Sequence, residues 1–153
     1  MNGFARFLAT GAYSGYGPYV PGTWGTVPGV VLAPAFGALA AWSLPIYAIA
    51  LLASVGVAIW AASVVVVQEQ LSDPQIIVID EIVGYLFTMA FLPVTGMTLF
   101  LAFVLFRIFD IIKPPPGRRL EHLHGGLGVV ADDLWAGILG NLCLRALLMT
   151  GLF

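Results

Sequence analysis

The chain has 153 residues, 60% of them hydrophobic and 9% charged, with a formal net charge of -2 and a mean hydropathy of +0.99. A soluble domain carries about a quarter charged residues, so this composition excludes an ordinary water-soluble globule and points to a bilayer as solvent. Six Lys and Arg cannot build the basic stripe that nucleic acid requires, and one cysteine, Cys143 in an apolar stretch, excludes a disulfide framework and a cysteine zinc site.

Residues 1–12 carry one Arg and lack the apolar core of a signal peptide, so insertion is expected to rest on later segments. Residues 13–26 hold four Gly and two Pro. That density predicts a structured loop or re-entrant turn rather than a helix, and its Tyr and Trp suit the headgroup layer. Residues 27–42 are uncharged, interrupted by Pro34, and span about 24 Å at helical rise, slightly less than the hydrocarbon core. Residues 44–67 form an uncharged run of 24, the clearest spanning helix. Residues 68–81 are polar, with a turn at Asp73-Pro74 and Asp80-Glu81 at the start of the next apolar stretch.

Residues 82–106 decide the topology. One continuous helix would put Asp80 and Asp110 on opposite sides of the membrane. A hairpin broken at Pro93-Val94-Thr95-Gly96 returns Asp110 to the side of Asp80, and the Pro and Gly favour it. Residues 110–133 hold seven of the fourteen charges and both histidines. Lys113-Pro114-Pro115-Pro116-Gly117-Arg118-Arg119 cannot be helical throughout and belongs in the interface. His124-Gly125-Gly126-Leu127-Gly128 reads as a flexible loop, and residues 131–153 as a last apolar helix entered through Asp132-Asp133.

The expected fold is therefore one domain, residues 1–153: an all-α integral membrane bundle of about five hydrophobic segments, with a broken hairpin near Pro93–Gly96. The hairpin places residues 1–26, 68–81 and 110–133 on one face. That face holds Arg6, Lys113, Arg118 and Arg119, so the positive-inside rule makes it cytoplasmic. Arg145 does not fit this scheme and either snorkels or lies inside the bundle.

Five acids lie at segment ends on that face: Asp80, Glu81, Asp110, Asp132 and Asp133. Carboxylates drawn together repel unless a cation sits among them. Oxygen donors without a cysteine pair favour Mg2+ over zinc. The competing explanation is helix capping, because Asp80-Glu81 and Asp132-Asp133 each precede a helix. Asp110 resists it: it ends an apolar run, where a negative charge opposes the helix dipole. Arg107, three residues earlier, pairs with Asp110 locally or serves the site. Lys113, Arg118 and Arg119 are candidates to clamp a phosphate or to anchor beside anionic lipid. His124 with its glycines, and Thr23 in Pro21-Gly22-Thr23-Trp24-Gly25-Thr26, are candidates to line a headgroup site. Neither a Ser-His-Asp ordering nor a Walker-type loop is present.

Taken together, Pro21-Gly22-Thr23-Trp24-Gly25, Asp73-Pro74 with Val78-Ile79-Asp80-Glu81-Ile82-Val83-Gly84, Phe106-Arg107-Ile108-Phe109-Asp110-Ile111-Ile112-Lys113-Pro114 and His124-Gly125-Gly126-Leu127-Gly128-Val129-Val130-Ala131-Asp132-Asp133 resemble the phosphatidylglycerophosphatase A family, in order, over residues 13 to about 140. The resemblance implies a phosphoric monoester hydrolase of the bacterial inner membrane. It implies conversion of phosphatidylglycerophosphate to phosphatidylglycerol and phosphate, with Mg2+, in phospholipid biosynthesis. It makes Asp80, Glu81, Asp110, Asp132 and Asp133 the metal and catalytic acids, and Lys113, Thr23 and His124 phosphate or headgroup contacts. Asp80 or Asp132 would then activate the attacking water, with Lys113 and Arg107 offsetting charge; an aspartyl-phosphate route stays open. Two other functions are compatible with acids in a membrane. A CDP-alcohol phosphotransferase would show an Asp-x-x-Asp-Gly-x-x-Ala-Arg run, absent here. A small cation transporter would place its acids at mid-membrane depth.

Overall fold

The computed structural model describes residues 2–17, 21–71 and 74–151; Asp73 of the Asp73-Pro74 turn and residues 18–20 of the Gly/Pro-rich segment lie outside them. Seven α-helices follow in order: α1 (Gly3–Ala9), α2 (Pro21–Trp42), α3 (Leu44–Glu69), α4 (Ile79–Thr88), α5 (Gly96–Ile112), α6 (Gly117–Leu120) and α7 (Gly126–Met149), with a 3-10 turn at Ser14–Tyr16. No strand occurs among the described residues.

Among the described residues, three helices are long and apolar enough to cross a membrane: Gly22–Trp42, Leu44–Glu69 and Gly126–Met149. With 21, 26 and 24 residues they reach about 32, 39 and 36 Å. Their outer faces carry large exposed apolar side chains, among them Val31, Leu32, Ile49, Leu52 and Leu142. A belt of that kind belongs in lipid. The expected five hydrophobic segments are these three plus the shorter arms α4 and α5.

The hairpin is present. α4 stops at Thr88, the chain turns through residues 89–95, and α5 starts under a capping box in which Thr95 Oγ1 accepts from the Thr98 N–H and Thr98 Oγ1 from the Thr95 N–H. The break thus opens earlier than Pro93. α4 is ten residues long and mostly buried, packed on α2, α3, α5 and α7. It meets α7 where Gly84 faces Gly137: a Cβ on Gly137 would run into the Gly84 carbonyl, so only glycine lets the two backbones approach this closely.

A half-helix ending inside a bilayer leaves carbonyls that water cannot reach. α7 supplies their donors. Asn141 Nδ2 donates to the carbonyls of Thr88 and Ala90 at 2.9 Å each, and Arg145 Nη2 to Ala90 O at 2.9 Å and Phe91 O at 3.4 Å. Arg145 Nε donates to Asn141 Oδ1 at 2.8 Å, and Tyr47 Oη accepts from the Phe91 N–H. Arg145 therefore lies inside the bundle, its charge at the negative end of the α4 dipole.

Two boundaries differ from expectation. α2 begins at Pro21 and not near residue 27, so Gly22 to Thr26 are helical. Proline at the first position lacks a donor that the first turn would leave unpaired anyway. α7 begins at Gly126 and not at 131, with the Gly126 N–H donating to Ser63 Oγ. Gly126, Leu127 and Gly128 are therefore its first turn rather than a flexible loop, and Asp132 and Asp133 sit within the second turn and are not caps.

Candidate active site

The first turn of α4, the last turn of α5 and the second turn of α7 end at the same face of the bundle. Cross-contacts fix that sidedness: Arg6 Nη2 pairs with Glu69 at 2.7 Å, the Val78 N–H donates to Ala9 O, and Arg107 of α5 pairs with Glu81 of α4. A cavity of about 580 Å3 opens there, lined by Asp80, Glu81, Asp110, Asp132 and Asp133. All five acids singled out in the sequence thus border one space. Lys113, Glu121, His122, His124, Gln75 and Gly22 complete its polar wall.

Two cations hold the acids in place. Arg107 Nη1 lies 2.7 Å from Asp110 Oδ2 and 3.1 Å from Glu81 Oε1, tying α5 to α4. The Arg107 pair also answers the dipole conflict at Asp110, because its charge stands one turn back on the same face. Lys113 Nζ lies 2.7 Å from Asp132 Oδ2 and 3.1 Å from Glu121 Oε2, tying the end of α5 to α7. Burial lowers the Lys113 pKa, but its contacts with Asp132 and Glu121 outweigh that and leave it raised, so the ammonium stays charged. Lys113 caps α5 in the left-handed region at φ 48°, a place that favours glycine. A lysine there accepts about 1 kcal/mol or more of backbone strain, and its side chain turns back to α7.

The charges do not balance. Among the described residues, six carboxylates (Asp80, Glu81, Asp110, Glu121, Asp132, Asp133) gather with two fixed cations, Arg107 and Lys113. Asp133 is 4% exposed and its Oδ2 has no hydrogen-bond partner among the described residues; Glu81 Oε2 is likewise buried and unpaired. Buried carboxylate oxygens left this way are costly as anions unless a proton or a further cation meets them. Among the described residues no three His, Cys, Asp or Glu side chains stand ready-made around a metal position. Mg2+ does not require such a cage: one or two carboxylates, waters and a substrate phosphate normally suffice. The donor set and its orphaned oxygens therefore fit a hard divalent cation.

Of the remaining sequence candidates, His124 lines the cavity mouth and is exposed, whereas Thr23 is exposed on α2 and does not line it. Its neighbours Gly22 and Gly25 are the closer ones. A Cβ on Gly25 would collide with Glu81 Oε2, and one on Gly22 would lie 2.5 Å from Glu81 Oε1. The Pro-Gly-Thr-Trp-Gly run thus brings helix backbone against a catalytic-face carboxylate. Gly25→Ala, whose Cβ would also lie 2.6 Å from the Cβ of buried Val78, is expected to shift α2 against α4, displace Glu81 and reduce turnover about 100-fold, the scale of an ångström-level misplacement, with little change in helix content by circular dichroism. Glu121 and His122 went unrecognised in the sequence. The spacing of Glu121, eight residues after Lys113 across a proline turn, has no helical signature.

A helical membrane bundle that collects acids, a lysine and an arginine around an interfacial cavity is the framework of a membrane-embedded enzyme acting on an anionic, lipid-borne group. The chain belongs to the phosphatidylglycerophosphatase A family, whose sequence model matches residues 7–148. It is 34% identical over 138 residues to a Bacteroides thetaiotaomicron protein provisionally named phosphatidylinositol-3-phosphatase, covering 86% of this chain and 85% of that one. It is 31% identical to phosphatidylglycerophosphatase A of Escherichia coli (88% and 77% covered) and 33% identical to that of Haemophilus influenzae (87% and 82%). No solved structure matches the chain significantly. By its family the protein is a phosphatase.

Proposed function

We propose that the protein hydrolyses the terminal phosphomonoester of phosphatidylglycerophosphate to phosphatidylglycerol and inorganic phosphate, with Mg2+, in phospholipid synthesis. The observation that carries this reading is the convergence of Asp80, Glu81, Asp110, Asp132 and Asp133 on one cavity beside a charged lysine, with Glu81 Oε2 and Asp133 Oδ2 unsatisfied. Those five acids are the residues that would hold Mg2+. When bound, the ion supplies positive charge and polarises phosphate oxygens. Lys113, fixed by Asp132 and Glu121, attracts the phosphate and offsets charge on the group in transfer. Asp80, in the first turn of α4, orients the attacking water and takes its proton. The positive ends of α4 and α7 both point to this face and favour an anion there. His124 at the mouth contacts the headgroup.

Arg6, Arg107, Lys113, Arg118 and Arg119 all lie at the site end and Arg145 at the other, which by the positive-inside rule favours an inner membrane with the site toward the cytoplasm. The far end of α4 is closed by Arg145 and Asn141 rather than by acids, an arrangement that disfavours a cation path through the bundle. The Bacteroides relative favours a second substrate of the same chemistry, a phosphomonoester on an inositol lipid.

Protein purified in an uncharged detergent is expected to release phosphate from phosphatidylglycerophosphate with Mg2+ and to stop in excess EDTA. Release that persists in EDTA overturns the metal assignment. No release with Mg2+ present, but release from phosphatidylinositol 3-phosphate, moves the substrate to the inositol lipid.

A further inference from the structure

Beside the carboxylate cavity lies a second hollow of about 480 Å3, and Lys113 lines both. Its walls are Ile112 and the three prolines 114–116, and its charged members other than Lys113 are Arg118 and Arg119. Both arginines are exposed, and among the described residues neither is in an ion pair. They differ in this from Arg6 and Arg107 on the same face, each of which already has a carboxylate. Their backbone is ordered by local bonds: the Gly117 N–H donates to Pro114 O at 2.8 Å and the Arg119 N–H to Pro116 O at 2.7 Å. α6 also rests on α7, with Gly117 over the Trp135 ring.

The proposed substrate, and equally a 3-phosphorylated inositol lipid, carries two phosphates. The outer one is a monoester and is removed. The inner one is a diester that joins the polyol to diacylglycerol and is kept. A site that accepts both lipids can read this shared feature. We infer that Arg118 and Arg119 bind the inner phosphodiester in the proline-walled hollow while the outer monoester enters the carboxylate cavity across Lys113. The inference rests on the functional reading above. Charge complementarity supports it, because two guanidinium groups without protein anions meet a monoanionic diester, and Arg suits phosphate bidentately. The apolar prolines and Ile112 suit the glycerol carbons on either side of that diester. Adjacency supports it too: the shared Lys113 wall places the two phosphate positions side by side, as a short polyol demands.

The two halves of the substrate can be offered separately. Dihexanoyl phosphatidylglycerol carries only the inner diester, and inorganic phosphate mimics only the outer group. Their affinities for the full-length protein in uncharged detergent are measured by titration calorimetry, for wild type, R118Q/R119Q and R118K/R119K. The Gln pair is expected to weaken dihexanoyl phosphatidylglycerol about tenfold or more, the scale of a lost charge-assisted contact, and to leave phosphate within about twofold. The Lys pair is expected to recover only part of the loss, since an ammonium lacks the planar fork. With phosphatidylglycerophosphate, the Gln pair is expected to act through KM. Equal losses for both probes, or full recovery by Lys, would identify a general anionic-surface anchor and overturn the inference, as would no change for the diester. Binding is read without turnover. A wild type that releases no phosphate therefore counts against the functional reading, and an unaltered diester affinity counts against the arginines.

Discussion

Asp133→Asn is expected to lower phosphate release about a thousandfold, the scale of a single lost electrostatic contributor, while the folded state in EDTA is no less stable than wild type. The two halves of this result have one cause. Asp133 is buried at 4% exposure on α7, among Asp80, Glu81, Asp110 and Asp132, and its Oδ2 has no partner among the described residues. Such a group is a burden on folding and not a support, because a buried charge among like charges costs several kcal/mol after relaxation, on the order of its desolvation penalty. Asparagine keeps the shape and removes the burden. Thermal unfolding of both proteins checks the point. Wild type is expected to rise with Mg2+, since an ion that binds only the folded form stabilises it by mass action. The variant is expected to start at or above the wild-type midpoint in EDTA and to respond weakly to Mg2+. A midpoint several degrees below wild type in EDTA would make Asp133 a structural residue and remove it from the ion's surroundings.

Arg145→Met is expected to give the opposite pattern: lost stability first and lost activity as its consequence. The Ala90 carbonyl takes a hydrogen bond from both Asn141 and Arg145, and that of Phe91 takes one from Arg145. Removing the guanidinium leaves Phe91 O and the negative end of α4 without it, and strips Asn141 Oδ1 of its donor. The Phe91 carbonyl is exposed whereas Asn141 Oδ1 is part-buried, so the loss expected is about 1–3 kcal/mol, the scale of one unsatisfied buried group. Asn141→Leu is expected to cost a similar amount, and the double variant less than the sum, because the two side chains form one network. Unfolding in a graded series of denaturing detergent provides the measurement. Additive losses would separate the two residues, and no loss from Arg145→Met would mean that the α4 end is satisfied by other means.

Much of this site could be read from the chain before its fold was known. The apolar runs located the spanning helices, and Pro93 with Gly96 located the turn that returns Asp110 to the side of Asp80. The five acids were identifiable because a carboxylate beside an apolar run needs a reason. What was hidden depends on contacts between helices. The start of α2 at Pro21 defied a reading by propensity, since Gly22 and Gly25 weaken a helix locally; the close approach of Glu81 explains why small residues stand there. The start of α7 at Gly126 depends on Ser63 of α3, which accepts from its first N–H. Glu121 became visible only when the proline turn folded it back on Lys113. Asn141 and Arg145 did leave a signal: two polar residues four apart in an apolar helix share a face. Their partners could not be named without knowing where α4 stops.

The mouth of the cavity has an oily margin. Leu123, which lines the cavity, is 41% exposed, and Ile112, which lines the adjoining proline-walled hollow, is 58% exposed. A lipid seated with its phosphate among the carboxylates can leave both fatty chains in the surrounding leaflet, because no tunnel must swallow them. On the proposed reading, substrate arrives sideways, by two-dimensional diffusion within the sheet of lipid, and product departs the same way. Such a catalyst is governed by how crowded its substrate is in the surface around it, and the volume of water outside has little bearing on its rate.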